Sequence, residues 1–73
     1  MAQKTIDARG LKCPQPTLKA MSESHGMAKG DLIEIVADCS TFEQDMRTWC
    51  QRTGKSMLWI RADGAAKRCQ IRV

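Results

Sequence analysis

Cys13 has the clearest chemical potential in this sequence. Pro14 and Pro16 follow it, and proline suits the first turn of a helix, where backbone N–H groups have no intrahelical partner. We therefore predict a helix that starts at Pro14, with Cys13 as its N-cap. The positive end of a helix dipole and unpaired N–H groups favour a thiolate, and Arg9 and Lys12 add positive charge nearby. We expect the pKa of the Cys13 thiol to lie below its usual range, so that the sulfur acts as a nucleophile.

A second interpretation gives Cys13 no chemistry, because a small residue is also tolerated at a helix start. The sequence supplies no convincing general base for it. The single histidine, His25, lies about three helical turns away, roughly 15–18 Å along the axis. We expect His25 to have a structural role at the helix end, where a cation suits the dipole.

Cys39 is a candidate second thiol. It lies between the second predicted strand and the second predicted helix. The ends of parallel strands and the helices that follow them often lie side by side in α/β layers, so Cys39 could neighbour Cys13. It is then a candidate relay or resolving thiol; the alternative is a small residue that fills a strand–helix turn. The sequence leaves their pairing open, because a disulfide needs Cβ atoms within roughly 3.5–4.5 Å.

Cysteine spacing also bears on metal binding and compartment. Structural zinc sites use Cys-x-x-Cys pairs, and no two cysteines here are closer than eleven positions apart, so we expect no metal. Cys50 and Cys69 are predicted core residues. The N-terminus has no apolar run long enough for a signal peptide, and nothing approaches the roughly 18 apolar residues of a membrane span. We expect a cytoplasmic protein with reduced thiols and no membrane contact.

Length and charge bound the function classes. The chain has 73 residues, of which 42% are hydrophobic and 27% charged, a composition typical of globular proteins. A core this small leaves no room for a deep substrate cavity, so chemistry is expected at the surface. The formal net charge of +4 could favour RNA, an acidic protein or an acidic membrane surface, and it selects none of them.

Hydrophobic periodicity and turn residues predict one β-α-β-α-β-β domain over residues 1–73. The predicted strands cover residues 4–8, 31–38, 56–62 and 67–73, and the predicted helices run from Pro14 to Gly26 and from Ser40 to Gly54. Right-handed crossovers place both helices on one face of a four-stranded mixed sheet. The predicted fold class is therefore an α/β (α+β) two-layer sandwich.

Side-chain spacing predicts the buried face of each element. The inward stripe of the first helix is predicted to be Leu18, Met21, Ser22 and His25. The second helix begins with a capping box of Ser40 and Glu43. Its predicted inward face is Phe42, Met46, Trp49, Cys50 and Thr53. The final hairpin turns at Asp63-Gly64, and its predicted inward residues are Leu58, Ile60, Ala62, Cys69, Ile71 and Val73.

The run Asp7-Ala8-Arg9-Gly10-Leu11-Lys12-Cys13-Pro14-Gln15-Pro16 resembles the signature of the TusA/SirA-like family, small sulfur-carrier proteins with a Cys-Pro-x-Pro motif at the start of the first helix. Weaker landmarks extend the resemblance along the chain: Lys29-Gly30-Asp31, Asp38, Trp49-Cys50 and Thr53-Gly54. The resemblance implies the same β-α-β-α-β-β sandwich. It also implies a sulfurtransferase that accepts sulfane sulfur as a persulfide on Cys13 and needs no cofactor.

The resemblance further implies partner proteins. In that family a cysteine desulfurase or a rhodanese-like protein donates the sulfur, and a downstream acceptor protein receives it. The implied supporting residues of the motif are Arg9, Gly10, Lys12, Pro14 and Pro16. End uses in the family are tRNA thiolation, which gives an indirect link to tRNA, molybdenum-cofactor maturation and dissimilatory sulfur metabolism. Gln15 replaces the Glu of tRNA-thiolating members, and Cys39 stands where many members have proline, so the pathway stays open.

Two other function classes remain as alternatives. Trp59, Arg61, Arg68 and Arg72 are predicted to share the outer sheet face, and aromatic and Arg residues on an open sheet are what single-stranded RNA binders use. The chain would then be a small RNA-binding or regulatory module in which Cys13 is incidental. The other alternative is a protein-interaction or oligomerisation module without thiol chemistry.

Overall fold

The computed structural model describes residues 3–73 and confirms the predicted element order. Met1 and Ala2, the first residues of the predicted domain, lie outside the described residues. The elements are β1 Gln3–Asp7, α1 Gln15–Ser24, β2 Leu32–Ala37, α2 Phe42–Thr53, β3 Ser56–Asp63 and β4 Ala66–Arg72. The sheet order is β1-β2-β4-β3, with β1 and β2 parallel and the other pairs antiparallel. This mixed sheet with its two helices is the predicted two-layer sandwich.

The core lies between the sheet and the helices, and β2 is at its centre. Ile33 and Ile35 are fully buried and belong to the core cluster that contains the apolar face of α2. On each side β2 pairs with a neighbouring strand. Val36 is also buried, although its side chain alternates to the opposite face. The β-branched, mostly apolar sequence of β2 is typical of such a central strand.

The first helix differs from its prediction. Its N-cap is Pro14, so the helix starts at Gln15 and Cys13 lies one residue before the cap. The buried residues of α1 are Pro16, Thr17 and Ala20. The predicted stripe was wrong at three of its four positions, because Leu18 is 53% exposed and Ser22 and His25 are exposed. Met21 is half-buried and packs against the core, as predicted. Small side chains let α1 pack closely on the sheet, which a search for large apolar residues overlooks.

The second helix confirms its predicted inward face at four positions, Phe42, Met46, Trp49 and Cys50. Thr53 is exposed; its hydroxyl donates to the Trp49 carbonyl oxygen at 2.7 Å. The N-cap is Thr41, not Ser40. Glu43 does not complete a capping box because its carboxylate binds Lys67 and Arg47, at 2.8 and 3.1 Å. Gly54 ends the helix with φ 72°, as predicted.

The hairpin turns at Gly64-Ala65, one residue later than the predicted Asp63-Gly64, because Asp63 is still in β3 and pairs with Ala66. Its inward face also differs from the prediction. The pairing of β3 with β4 shifts between Met57 and Trp59, and an extra residue in a strand reverses its alternation. Met57 therefore packs against the core, while Leu58 is 40% exposed and Ala62 is exposed. The remaining predicted inward residues face the core: Ile60, Cys69, Ile71 and Val73.

No helix in residues 3–73 is long and apolar enough to cross a membrane.

Candidate functional site

The loop after β1 is held against the end of β2. The Ala8 N–H donates to the Val36 carbonyl oxygen at 2.8 Å, which continues the parallel ladder by one residue. Gly10 then adopts φ 83°, a conformation that favours glycine. In that conformation its N–H donates to Asp38 Oδ1 at 3.1 Å. The carboxylate of Asp38 thus joins the loop that carries Cys13 to the loop that carries Cys39.

Arg9 is engaged with Asp7. Its Nε and Nη2 donate to the two carboxylate oxygens at 2.9 and 2.8 Å. These hydrogen bonds lower the pKa of Asp7 from 3.8 to about 2. Arg9 was expected to add positive charge beside Cys13, whereas its observed partner is Asp7. Lys12, the other predicted cation, is exposed next to Cys13.

Cys13 is exposed immediately before α1. The peptide bond between Cys13 and Pro14 is cis. The Gln15 N–H, at the start of α1, donates to the Lys12 carbonyl oxygen at 2.8 Å. Thr17 is buried, and its Oγ1 makes no hydrogen bond within residues 3–73. Cys13 therefore lies at the surface of the molecule.

Cys39 lies directly against Cys13. Their sulfur atoms are in bonding contact, as in a disulfide, and their Cα atoms are 5.7 Å apart. That separation falls within the usual range for disulfides. The adjacency that the sequence left open is therefore present, although four reduced thiols were expected. The two cysteines are 26 positions apart in the sequence. The parallel pairing of β1 with β2 brings the loops that carry them together.

Two residues that the sequence analysis did not identify complete the surroundings of the sulfur pair. Cys39 Sγ is 3.6 Å from Thr41 Oγ1, and the Thr41 hydroxyl donates to Asp45 Oδ2 at 2.9 Å. A carboxylate oxygen of Asp45 lies within 4.8 Å of both sulfur atoms. The spacing of Thr41 and Asp45, four residues apart across the start of α2, was the available signal.

The same three side chains, Cys13, Cys39 and Asp45, could hold a metal ion with their ligand atoms. Cysteine spacing had argued against metal, but spacing along the chain does not limit residues that folding brings together. Metal binding requires both thiolates to be free. The sulfur atoms are bonded to each other here, so a metal and the disulfide exclude one another.

The other two cysteines are in the core, as predicted. Cys69 is fully buried and Cys50 almost so. Burial raises the pKa of both thiols, that of Cys69 to about 12. Because the thiolate is the reactive form, buried thiols of this kind are inert. Cys13, which is exposed, and Cys39, which is half-buried, are therefore the candidates for thiol chemistry among the four cysteines.

A groove of about 560 Å³ lies between the exposed sides of α1 and α2. It begins at Pro14 and Asp45, beside the sulfur pair, and extends to His25 and Lys55. Exposed Leu18 contributes to its lining. His25 follows the last turn of α1, at the opposite end of the helix from Cys13.

On the outer sheet face, the basic residues are largely occupied. Arg68 binds Glu34 at 2.8 Å and Asp63 at 3.0 Å. Arg61 stacks over the Trp59 ring, 4.5 Å from its centroid. The indole N–H of Trp59 donates to Gln70 at 3.2 Å. These contacts pair the charge of Arg68 and cover one face of the Trp59 ring, both of which an RNA strand would need, whereas Arg72 is exposed.

The proteins and the family to which this chain is similar are all described as sulfurtransferases or sulfur carriers. The family described as "Sulfurtransferase TusA" matches residues 4–73. "Putative sulfur carrier protein NMA0882" of Neisseria meningitidis is 34% identical over 58 residues, which are 80% of this chain and 78% of that protein. "Putative sulfur carrier protein YrkF" of Bacillus subtilis is 31% identical over 67 residues, 92% of this chain but 36% of that longer protein.

A solved structure shares the fold. The crystal structure of a SirA-like protein from Desulfitobacterium hafniense superposes with a TM-score of 0.82 and covers 96% of both chains. Its sequence identity is 21%, so this similarity concerns the fold alone.

Proposed function

Because this chain belongs to the TusA sulfurtransferase family, we propose that it accepts sulfane sulfur as a persulfide on Cys13 and relays it to an acceptor protein. The observation that carries the proposal is the exposed position of Cys13 immediately before α1. Cys50 and Cys69 are enclosed in the core. A relay between proteins requires a sulfur atom that two partners can reach in turn.

Loading needs only thiol chemistry. The Cys13 thiolate attacks the terminal sulfur of a donor persulfide, and the donor leaves as a thiolate. An acceptor thiolate then attacks the terminal sulfur carried by Cys13. Neither step needs a general base from this chain, which agrees with the placement of His25 at the far end of α1. The chain acts as a sulfurtransferase only together with its partner proteins.

The motif residues support Cys13 in different ways. Gly10 attaches the loop to Asp38, and Arg9 braces its start through Asp7. Buried Pro16 anchors the first turn of α1, while exposed Pro14 and Lys12 flank the sulfur where a partner would touch it. We assign these five motif residues a supporting role rather than direct chemistry. Cys39 is the relay or resolving thiol.

The partners follow from this chemistry. A cysteine desulfurase or rhodanese-like protein supplies the persulfide, and a downstream acceptor protein with its own thiolate receives it. The cytoplasm is the expected compartment, since its reducing conditions regenerate the thiolate. tRNA thiolation is one end use that this relay could serve, through the acceptor rather than by direct contact with tRNA. No cofactor is needed for the transfer.

Transfer of labelled sulfur tests the proposal. The reduced chain is incubated with a cysteine desulfurase and ³⁵S-cysteine, and protein-bound label is measured before and after treatment with a thiol reductant. We expect reducible label on Cys39→Ser, which keeps Cys13 and lacks Cys39, and none on Cys13→Ser. A rhodanese charged with labelled sulfane sulfur serves as the second donor. Equal labelling of Cys13→Ser and Cys39→Ser would contradict the proposal.

The alternative RNA-binding function makes a different prediction. It requires salt-sensitive RNA association that is lost on combined replacement of Arg61, Arg68 and Arg72 but persists in Cys13→Ser. The ion pairs of Arg68 and the stacking of Arg61 on Trp59 make this function the less favoured one.

A further inference from the structure

Exposed Cys13 and Cys39, which is half-buried against the core, form a preorganised pair. The register that places Asp7 opposite Val36 aligns the ends of β1 and β2. The bond from Ala8 to Val36 and the bond from Gly10 to Asp38 then hold the two following loops together. These contacts are all made by residues other than the cysteines. The fold itself therefore keeps the two sulfur atoms adjacent.

Thr41 and Asp45 orient Cys39. A threonine hydroxyl has one proton, and that of Thr41 is donated to Asp45. Its oxygen, 3.6 Å from Cys39 Sγ, is then available as an acceptor. In the reduced protein the Cys39 S–H donates to it. This contact orients the Cys39 sulfur beside Cys13.

We propose that Cys39 attacks the persulfide on Cys13, forms the Cys13–Cys39 disulfide and releases the carried sulfur as hydrosulfide. This inference rests on the proposed function, since it begins from the Cys13 persulfide. The bond that forms joins the two Sγ atoms, and the bond that breaks joins Cys13 Sγ to the carried sulfur. The Cys39 thiol gives its proton to the outer sulfur of the anionic persulfide, the Cys39 thiolate attacks, and the carried sulfur departs with that proton as HS⁻. The carried sulfur gains two electrons, and the two cysteine sulfurs lose them.

The geometry favours this reaction over transfer of the sulfur to Cys39. Cys39 Sγ is placed against Cys13 Sγ, which is the inner sulfur of the persulfide. Transfer would instead require contact with the outer sulfur, one bond further away. Attack on the inner sulfur also has HS⁻ as leaving group, and a leaving group of low pKa departs quickly. The resulting disulfide has no free nucleophile, so a dithiol reductant must reduce it before the next cycle.

The chain therefore has two outcomes for a loaded sulfur. A bound acceptor thiolate takes the outer sulfur and leaves Cys13 reduced. Without an acceptor, Cys39 releases hydrosulfide and the chain becomes oxidised. The pair thus makes the carrier a persulfide-reducing protein that yields one hydrosulfide for each disulfide formed.

A single-turnover experiment tests the inference. Reduced wild type, Cys39→Ser and the control Ser40→Ala are loaded anaerobically, either with a cysteine desulfurase and cysteine or with inorganic polysulfide. After desalting, hydrosulfide release and intact mass are followed with time. Ser40 is the exposed neighbour of Cys39, so its replacement leaves the sulfur pair in place. Unloaded wild type in the same buffer controls for oxidation from other sources.

We expect wild type and Ser40→Ala to release one equivalent of hydrosulfide and to give a Cys13–Cys39 disulfide in non-reducing peptide maps. Because the attacking thiol is held in place, their persulfide should disappear at least about tenfold faster than that of Cys39→Ser. Equal persistence in wild type and Cys39→Ser, or a persulfide mapped to Cys39, would overturn this inference alone. Failure of every variant to take up sulfur from either source would overturn the proposed function as well.

Discussion

The backbone N–H of Gly10 donates to the carboxylate of Asp38 at 3.1 Å and joins the two loops that carry the surface cysteines. The loops follow β1 and β2, which are adjacent and parallel. Cys13 comes three residues after Gly10, and Cys39 directly follows Asp38. This hydrogen bond thus helps to hold the two sulfur atoms together at the end of the sheet.

Replacing Asp38 should make the disulfide between Cys13 and Cys39 less favourable. Asp38→Ala removes the acceptor for Gly10, and a typical hydrogen bond contributes about 0.5–1.5 kcal/mol, so the equilibrium constant for Cys13–Cys39 pairing should fall by about two- to tenfold. The measurement is the dithiol–disulfide equilibrium in a glutathione redox buffer. Asp38→Asn keeps a carbonyl oxygen at that position and should stay close to wild type. A constant unchanged in Asp38→Ala would show that the bond does not align the loops.

Gly10→Ala should destabilise the fold through the backbone alone. Gly10 has φ 83°, and a Cβ there would meet no atom within 4 Å, so the cost is the left-handed conformation itself, about 1–2 kcal/mol. Gly26→Ala is the matched control, because Gly26 lacks a positive φ and its Cβ would have only one contact, at 4.0 Å. Urea unfolding should show the loss in Gly10→Ala and little change in Gly26→Ala. Equal effects would mean that the strain argument is wrong.

Much of the fold follows from the sequence because large apolar residues mark it. Phe42, Met46 and Trp49 repeat at helical spacing and are all buried, and the apolar run of β2 forms the central strand. The close packing of Thr17 and Ala20 leaves no such signal. The register shift near Leu58 depends on how β3 pairs with β4. The hydrophobic periodicity of one strand gives no information about its pairing with another.

The candidate site was predictable to a smaller extent. Cys13 was recognisable from the prolines after it and from the family resemblance. Its contact with Cys39 depends on the parallel register of β1 and β2, so the sequence could suggest the contact but not decide it. The hydrogen bond from Thr41 to Asp45 went unrecognised because the capping residue was expected to be Ser40.

Stability should decline at alkaline pH because of Cys69. Burial, reinforced by Cys50, raises the pKa of Cys69 from 9.0 to about 12. A raised pKa in the folded state contributes stability that is fully present below the unfolded pKa and is lost as the pH rises toward the folded value. The free energy of unfolding of the oxidised protein should therefore fall between pH 9 and 12. Cys69→Ala should lower stability at neutral pH but reduce this slope; a slope equal to that of wild type would exclude Cys69 as its cause.

Stability should also decline at acidic pH, because of Asp7. Hydrogen bonds from Arg9 lower the pKa of Asp7 from 3.8 to about 2, so its contribution to stability is present above pH 3.8 and is lost as the pH falls through about 2. In Arg9→Ala, NMR titration of the Asp7 carboxyl should give a pKa raised toward 3.8, because the side-chain hydrogen bonds are lost while the backbone N–H of residue 9 still donates to Oδ1. Lys12→Ala, which removes a cation from the same loop, should leave the low pKa in place. A low pKa that survived in Arg9→Ala would assign the shift to another group.

The most direct test of the central claim is the intact mass of the reduced chain after loading by a cysteine desulfurase, followed by peptide mapping without reductant. Cys39→Ser is the variant to load, because it lacks the thiol proposed to release the sulfur. The account predicts one added sulfur atom that a thiol reductant removes, mapped to the peptide that contains Cys13, and no addition in the Cys13→Ser/Cys39→Ser double variant. Sulfur mapped to Cys50 or Cys69, or added equally to the double variant, would contradict it.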